Sequence, residues 1–331
     1  MPKSKLVNPY DELFQKLTAP SNRRSEGYNL HLVSNFLTFD LKLGWSIDRI
    51  TIVGKAREHM WYHNGTDVRD VDFKKLMKLN EGAYVKAVGE TAWKIVDQFG
   101  ENVAYIELLQ FMPGYARIDF NPNKIKTIVS ESMKTFIHTA FIEPHFSRAD
   151  VACDIIGVPD EFIADYRYIE PVTYKVFYSQ KGDMETSYWG SRSSEQQIRL
   201  YNKKVEQQKK GKIVPQEIKT WWRFELQLRR GKANNWAGMV VDSLAKFNNP
   251  AYLRGLSNTE SIMIDGLIAN HKNWGILSKK TKSKYKKLLN SANENDELTR
   301  AMIEIFELQQ RRLKNELDTW LRGYDVTSED D

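Results

Sequence analysis

The stretch QQIRLYNK, residues 196–203, places a tyrosine between two cations at a regular spacing. If this stretch is a β-strand, its side chains alternate between two faces, so Arg199, Tyr201 and Lys203 share one polar face. Cations beside a tyrosine lower the free energy needed to form a phenolate and can hold a phosphate next to it. The spacing therefore indicates a tyrosine nucleophile that acts on phosphate. The alternative is a half-exposed strand tyrosine with solvated basic neighbours.

Acidic residues alternate with arginines in two further runs. In RADVACDI the alternation puts Asp150 and Asp154 on one face, and in WWRFELQLRR it puts Glu225 on a face with arginines. Carboxylate oxygens of this kind suit Mg²⁺ or Mn²⁺, which can bridge to phosphate oxygens. The two aspartates lie about 13 Å apart on a regular strand, so Glu225 with either one of them makes the better ligand pair. The alternative is an acid–arginine ladder with a purely structural role.

Lysines cluster in two places. The first cluster follows the tyrosine, includes Lys204 and extends to Lys212. The second consists of Lys279, Lys280, Lys282, Lys284, Lys286 and Lys287. Trp274 precedes the second cluster and Tyr285 lies within it. Lysine runs attract polyphosphates and release counterions on binding, so the two clusters together predict nucleic-acid binding. Either run alone could equally be a solvated face.

The elements that must position these residues are readable from hydrophobic periodicity. Alternating or β-rich runs occur at 46–54, 102–111, 115–122, 148–156, 172–179, 186–192, 197–203 and 221–229. Because turn residues separate them at hairpin-like distances, they predict an antiparallel sheet. Helical patterns occur at about 71–80, 124–140, 258–272, 278–291 and 296–322, and the last carries an apolar stripe typical of packing. We therefore predict an α+β fold with a large curved antiparallel sheet backed by helices.

The domain organisation follows from the same patterns. We predict a polar arm over residues 1–35, a catalytic sheet domain over 36–241, and a helical DNA-binding part over 242–331 that ends in an acidic tail. The 331 residues carry a net charge of +6, which is compatible with nucleic acid without requiring it. A single cysteine, Cys153, excludes an intramolecular disulfide and fits the cytoplasm. With no apolar run approaching roughly 20 residues and no signal core, we expect no membrane association.

Four runs together carry a resemblance to a known family: ARIDFNPNKI, RADVACDI, SYWGSRSSEQQIRLYNKKVEQ and WWRFELQLRR. The chain resembles the Rep_trans family of rolling-circle plasmid replication initiators, in particular those of staphylococcal-type antibiotic-resistance plasmids. The most specific string is G-[ST]-R-x-S…R-[IL]-Y-N-K-K, which here runs from Gly190 to Lys204. The resemblance implies that Tyr201 is the nucleophile and that Asp150, Asp154 and Glu225 are the acidic metal positions.

The resemblance also implies a function. Such a protein binds the double-strand origin of a plasmid as a homodimer, where an extruded hairpin exposes single-stranded DNA. Tyr201 attacks the scissile phosphate, keeps the 5′ end as a phosphotyrosine and frees a 3′-hydroxyl that primes synthesis. Religation at termination makes the enzyme topoisomerase-like, with Mg²⁺ or Mn²⁺ as cofactor and a host superfamily-1 helicase as partner. From strand alternation, Arg199, Lys203 and Arg192 are candidates to neutralise developing charge.

Origin recognition is implied for the segment Lys272–Lys287. The candidate DNA-binding residues are Arg192, Lys204, Trp274, Lys279, Lys280, Lys282, Lys284, Lys286 and Lys287.

Other interpretations remain open at this point. A mobilisation relaxase of an integrative or conjugative element can use the same domain, and a non-catalytic, sequence-specific DNA-binding protein could keep the fold. The string from His145 to Arg148 has the H-x-x-R form of tyrosine recombinases. Since it runs directly into a predicted strand with no all-helical pattern around it, we interpret it as coincidence and His145 as a residue before the strand.

Overall fold

A large antiparallel sheet organises the chain, as the alternating runs predict. The computed structural model describes residues 28–33, 38–57, 83–97, 100–125, 127–170, 172–249, 256–270, 272–293 and 297–322. The predicted helix at 71–80 and the acidic tail lie outside these residues. Within them, strands and helices combine in an α+β arrangement, which confirms the predicted fold class.

Within the described residues, the main sheet contains eleven strands, and all of their pairings are antiparallel. They are β1 (Tyr28–Val33), β2 (Thr38–Ala56), β3 (Ala83–Ala87), β4 (Ala92–Asp97), β5 (Asn102–Leu108), β6 (Tyr115–Phe120), β7 (Phe141–Ile156), β9 (Tyr174–Tyr178), β10 (Met184–Trp189), β11 (Gln196–Asn202) and β12 (Trp221–Arg229). The order is β3-β4-β5-β6-β2-β7-β12-β11-β10-β9, and β1 pairs with β2. A second, two-stranded sheet joins β8 (Arg167–Tyr168) to β13 (Phe247–Asn248).

The helices are α1 (Thr127–Ala140), α2 (Asp160–Asp165), α3 (Lys203–Lys209), α4 (Gly231–Asn234), α5 (Trp236–Leu244), α6 (Asn258–Ala269), α7 (Asn273–Ile276), α8 (Lys279–Asn293) and α9 (Glu297–Arg322). A short 3₁₀ turn covers Pro122–Lys124. Two expectations are corrected here. Tyr28–Val33, inside the predicted arm, is a strand that pairs with Thr38–Leu43 at the start of β2. His145 lies within β7, which begins at Phe141, rather than before the strand.

The last helix covers the apolar face of the sheet. Its predicted stripe is buried in the main core, at Leu298, Met302, Ile305, Leu313, Leu317 and Trp320. Helix α9 also bonds to β2: the Trp45 backbone N–H donates to Gln309 Oε1 at 2.9 Å, and the Trp45 indole donates to the Met302 carbonyl at 3.1 Å. Arg312 donates to the Trp45 carbonyl at 2.8 Å. Although it falls in the predicted DNA-binding part, α9 therefore packs with the main sheet.

Helices α6 to α8 form a smaller hydrophobic core of their own. Its buried members are Ile169, Ile264, Leu267, Ile268, Trp274, Tyr285 and Leu289. The two aromatic residues that accompany the second lysine cluster thus lie inside this core, and Trp274 is only 9% exposed. Because base stacking needs an accessible ring, this burial disfavours stacking of Trp274 on a base, and its contact with DNA stays a prediction.

Candidate active site

Residues that face each other across antiparallel strands share one face of the sheet, so the register defines the site. One row across β10, β11, β12 and β7 consists of Thr186, Tyr201, Arg223 and Asp154. The neighbouring row consists of Tyr188, Arg199, Glu225 and Ala152. The predicted nucleophile and all three predicted acids therefore lie on one face: Asp154 in the Tyr201 row, Glu225 in the next row, and Asp150, opposite Gln227, in the row after that.

Tyr201 is surrounded by cations but is buried, with 3% of its surface exposed. The Arg199 guanidinium lies 3.7 Å from the centroid of the Tyr201 ring, and Lys203 Nζ donates a hydrogen bond to Tyr201 Oη at 3.2 Å. Burial raises the pKa of the Tyr201 phenol well above its usual value, and Glu225 and Asp48 raise it further. Arg223 and Arg199 lower this pKa without offsetting the burial. The arginines therefore act in the direction that the sequence analysis expects, but burial has the larger effect on this pKa.

The string Y-N-K-K marks the end of a strand and the start of a helix. Tyr201 is the penultimate residue of β11, and the Asn202 side chain caps α3 by accepting from the Val205 N–H at 3.0 Å. Lys203 is thus the first residue of α3 and not part of the strand, which corrects the predicted strand at 197–203. It still reaches Tyr201 because the chain turns at Asn202. Lys203 also pairs with Glu206 at 2.9 Å, while burial and Arg223 lower its pKa.

Asp154 is committed to an ion pair. Arg223 Nε and Nη2 donate to its two oxygens at 2.9 and 2.7 Å, and the Trp221 indole donates to Oδ1 at 2.7 Å. Both members of the pair are fully buried. A bidentate arginine and an indole engage both oxygens of Asp154, an arrangement typical of the acid–arginine ladder.

Burial disfavours the ionised forms of the Glu225 and Asp150 carboxyl groups. Burial, together with the charges of Asp48 and Asp150, raises the pKa of Glu225 to about 7. Burial also raises the pKa of Asp150 to about 6, although Arg148 binds both its oxygens at 2.8 and 2.6 Å and opposes the shift. These carboxylates share a low-dielectric region of negative charge that a cation would stabilise.

Asp48 is an acid that the sequence analysis missed. It is the extra residue of a β-bulge in β2, between Ile47, which faces Val151, and Arg49, which faces Asp150. A bulge redirects a side chain, and here it brings Asp48 Oδ1 within 3.2 Å of Arg223 Nη1 on the site face. Only the break in the alternation of SIDRITIVG could have indicated it.

The donor set fits a divalent ion in part. Within the described residues, Glu225 forms an ion pair with Arg199 at 3.8 Å, and Asp48 accepts hydrogen bonds from Asn121 and Arg223 on Oδ1. Two buried polar atoms in the Glu225 row, Arg199 Nε and Ser46 Oγ, have no hydrogen-bond partner within the described part of the chain. No three histidine, cysteine or acidic side chains among the described residues converge as a metal cluster, so the predicted trio is not brought together.

The candidate DNA-binding residues lie in three places. Arg192 is exposed in the β10–β11 turn, at the opposite end of β11 from Tyr201 and roughly 20 Å away along the strand, so it is too distant to neutralise charge there. Lys204 Nζ donates to the Lys219 carbonyl at 2.8 Å. On α8, Lys279, Lys280, Lys286 and Lys287 are exposed, and Lys284 pairs with Glu260 of α6 at 2.8 Å.

No helix among the described ranges has the length and apolar character needed to cross a bilayer.

Two replication initiation proteins of Staphylococcus aureus are similar to this chain, at 29% identity over 212 residues and 30% over 210 residues. Each alignment covers 63% of this chain and 64% of the relative. The solved structure of a rolling circle replication initiator protein from Geobacillus stearothermophilus matches with a TM-score of 0.40 and 14% identity, over 69% of this chain and 97% of that one.

The family model of the replication initiation factors, Rep_trans, matches residues 144–302. This segment begins in β7, contains the whole of β11 and β12, and ends in α9. It therefore holds Tyr201, Arg199, Lys203 and the three predicted acids. Over these residues, which are just under half of the chain, the sequence is similar to the replication initiation factors of the Rep_trans family.

Proposed function

We propose that this protein initiates rolling-circle replication by nicking a plasmid origin, with Tyr201 as the nucleophile. The observation that carries the proposal is the position of Tyr201 inside the family segment, between the Arg199 guanidinium and the Lys203 ammonium. A tyrosine placed between two cations on a sheet face that also carries carboxylates is suited to phosphoryl transfer.

In the proposed reaction, Tyr201 Oη attacks the scissile phosphorus and the bond from phosphorus to the 3′ oxygen breaks. The 5′ end remains on the enzyme as a phosphotyrosine, the phenol loses its proton, and the departing 3′ oxygen gains one. Lys203 is placed to exchange this proton, because it bonds Tyr201 Oη directly and burial lowers its pKa. Attack by the 3′-hydroxyl at termination reverses the step and religates the strand, which makes the enzyme topoisomerase-like.

A divalent ion, Mg²⁺ or Mn²⁺, would be held by Glu225 and Asp48, with Asp150 contributing negative charge nearby. When bound, it would polarise the non-bridging phosphate oxygens. The protein's own contribution is to bury these acids where a cation is favourable and to keep Asp154 paired with Arg223.

The partners follow from the family and from charge. The proposed substrate is a double-strand plasmid origin with an extruded single-stranded hairpin, bound by a homodimer, with a host superfamily-1 helicase unwinding the nicked plasmid. The exposed lysines of α8 are proposed to contact duplex phosphates, which position a protein without specifying sequence.

The test is formation of a covalent adduct. Purified full chain is incubated with supercoiled plasmid libraries or single-stranded origin-like oligonucleotides and Mg²⁺ or Mn²⁺, and protein-linked DNA is detected on a denaturing gel. We expect an adduct that depends on the metal, that is lost in Tyr201→Phe and that persists in Tyr188→Phe. Tyr188 is the matched control because it lies on the same face, one strand away.

Loss of the adduct only in Tyr188→Phe would show that the nucleophile is Tyr188 and that the assignment to Tyr201 is wrong. A mobilisation relaxase on the same domain would also form the adduct, but on a transfer origin instead of a replication origin. The burial of Tyr201 specifically favours a second candidate, a sequence-specific DNA-binding protein without catalysis. Tight binding to a cognate origin without any adduct would establish that candidate.

A further inference from the structure

An aromatic row continues from the Tyr201 site toward the edge of the sheet. Phe177 on β9 faces Thr186, which in turn faces Tyr201, so the three lie on one face. The Phe177 ring meets the Tyr188 ring edge-to-face, with the centroids 5.9 Å apart. The Arg199 guanidinium lies 5.7 Å from the Tyr188 centroid. The same guanidinium covers the Tyr201 ring, so the aromatic residues Phe177 and Tyr188 are continuous with the Tyr201 site.

Phe177 is unusually accessible for a phenylalanine on a strand. Its exposed fraction is 55%, whereas Tyr188 beside it is half-buried. Tyr188 braces Phe177 from one side, so the ring is held at the surface of the site face. Covering an exposed aromatic ring that is held in place with a flat apolar partner lowers the free energy of the complex.

The charges around this row select the partner. Lys175 faces Tyr188 and is exposed, and Arg199 lies in the same row on the other side of Tyr188. The one acid of β10, Glu185, is the extra residue of a bulge and is paired with Lys209 at 2.7 Å. Flat rings with cations at their sides match unpaired nucleic-acid bases and their phosphates. Duplex DNA fits less well, because its base faces are already stacked.

We propose that Phe177, braced by Tyr188, is a stacking platform for an unpaired base next to the cleavage position. Two strand spacings separate Phe177 from Tyr201, roughly 10 Å. At about 3.4 Å per nucleotide of a stacked strand, the stacked base lies within about three nucleotides of the attacked phosphate. The position relative to the phosphate rests on the proposed function, but stacking itself requires no cleavage.

The test separates binding from chemistry. Full chain carrying Tyr201→Phe, without divalent ions, is titrated into fluorescently labelled oligothymidylate and into a labelled duplex, and anisotropy is measured. Oligothymidylate is a suitable probe because stacking tolerates any base. We expect Phe177→Ala to weaken single-strand binding on the order of tenfold and Phe177→Trp to retain it. Duplex binding should change in neither variant.

Tyr178→Ala is the matched control. Tyr178 is the next residue of β9 and is 57% exposed, but strand alternation points it to the opposite face. Its removal should leave single-strand binding unchanged. The platform is overturned if Phe177→Ala binds oligothymidylate like the parent, if Tyr178→Ala weakens binding equally, or if duplex binding falls in parallel.

Two further outcomes are informative. If Phe177→Ala changes the sedimentation mass and leaves single-strand binding intact, the β9 edge is a protein interface and the platform is overturned. If the wild-type chain forms no adduct with DNA while Phe177→Ala still weakens oligothymidylate binding, the platform stands and the proposed nicking activity fails. The two proposals are therefore distinguishable.

Discussion

Tyr201 and Glu225 both lie below the surface of the site face, and burial raises the pKa of each. For Tyr201, the consequence is a phenol that holds its proton at neutral pH and needs a neighbour to accept it. For Glu225, the consequence is a carboxylate whose charge is unfavourable until a cation arrives. Both groups thus carry a free-energy cost in their charged forms that a phosphate with its metal ion would relieve.

Replacing Glu225 by glutamine should stabilise the protein at neutral and higher pH. The folded-state pKa of about 7 exceeds the ordinary 4.5, so the stability that Glu225 contributes is complete below pH 4.5 and is lost as the pH rises through 7. Above pH 7 we expect Glu225→Gln to raise the free energy of unfolding by on the order of 1 to 3 kcal/mol. Denaturant unfolding at several pH values measures the difference, which should vanish below pH about 4.5.

The same pair of proteins tests the metal ion without measuring activity. Mn²⁺ should raise the unfolding temperature of the wild type at neutral pH, because it binds only the folded arrangement of acids. Glu225→Gln should show a smaller rise, since one ligand is gone. An equal rise in both proteins would place the ion elsewhere.

Among the elements, the junction of β11 and α3 sets the distance from Lys203 to Tyr201. We expect Asn202→Ala to lower the free energy of unfolding by about 1 kcal/mol, because the Val205 N–H loses its cap. It should also slow adduct formation, as Lys203 is no longer fixed at the first turn of α3. Asn202→Asp keeps a capping oxygen and should restore both properties. If the alanine variant nicks at the wild-type rate, the cap does not position Lys203.

How far the sequence predicts these elements depends on the strength of the alternation. β7, β11 and β12 were predicted because long runs alternate between core and polar face. β3 and β4 were missed because they are short and lie toward the edge of the sheet. Their short length is the reason, rather than a lack of buried side chains, because β4 places Trp93 and Ile95 in the main core.

Site residues divide in the same way. Tyr201 and Glu225 can each be predicted from the alternation within their own strand. The pairing of Asp154 with Arg223 depends on the register between two strands, which no single run reveals. Asp48 depends on a bulge, and the burial of Trp274 depends on a small core assembled from three helices. These features arise from tertiary contacts, so local pattern could not supply them.

At the scale of the whole molecule, α8 packs in the smaller hydrophobic core, whereas the strand that carries Tyr201 packs in the main core. One face of α8 carries the side chains of Lys279, Lys280, Ser283, Lys284 and Lys287, all of them exposed. The two surfaces could therefore bind different parts of one DNA, with duplex on α8 and unpaired strand on the sheet.

Replacing Lys280 and Lys287 by glutamine should weaken duplex binding and reduce its salt dependence. With each lost phosphate contact worth a slope of about 0.9, the plot of log affinity against log salt should flatten by about 2. Adduct formation on a single-stranded oligonucleotide should be unchanged. Lys86→Gln with Lys124→Gln removes the same charge from exposed positions elsewhere and should not alter the slope. A slope that falls equally in both pairs would indicate a general charge effect.

Tyr201 lies on an internal strand, with β10 on one side of β11 and β12 on the other. If DNA is joined at Tyr201, any tension from a motor that pulls the strand enters the protein at this point. An edge strand can be peeled away one hydrogen bond at a time, but β11 is held by two ladders that must yield together. When a strand of DNA linked to Tyr201 is stretched in an optical trap, the elements outside the central sheet should therefore unfold before β11 separates from β10 and β12. The sheet is in this sense a mechanical anchor as well as a chemical surface.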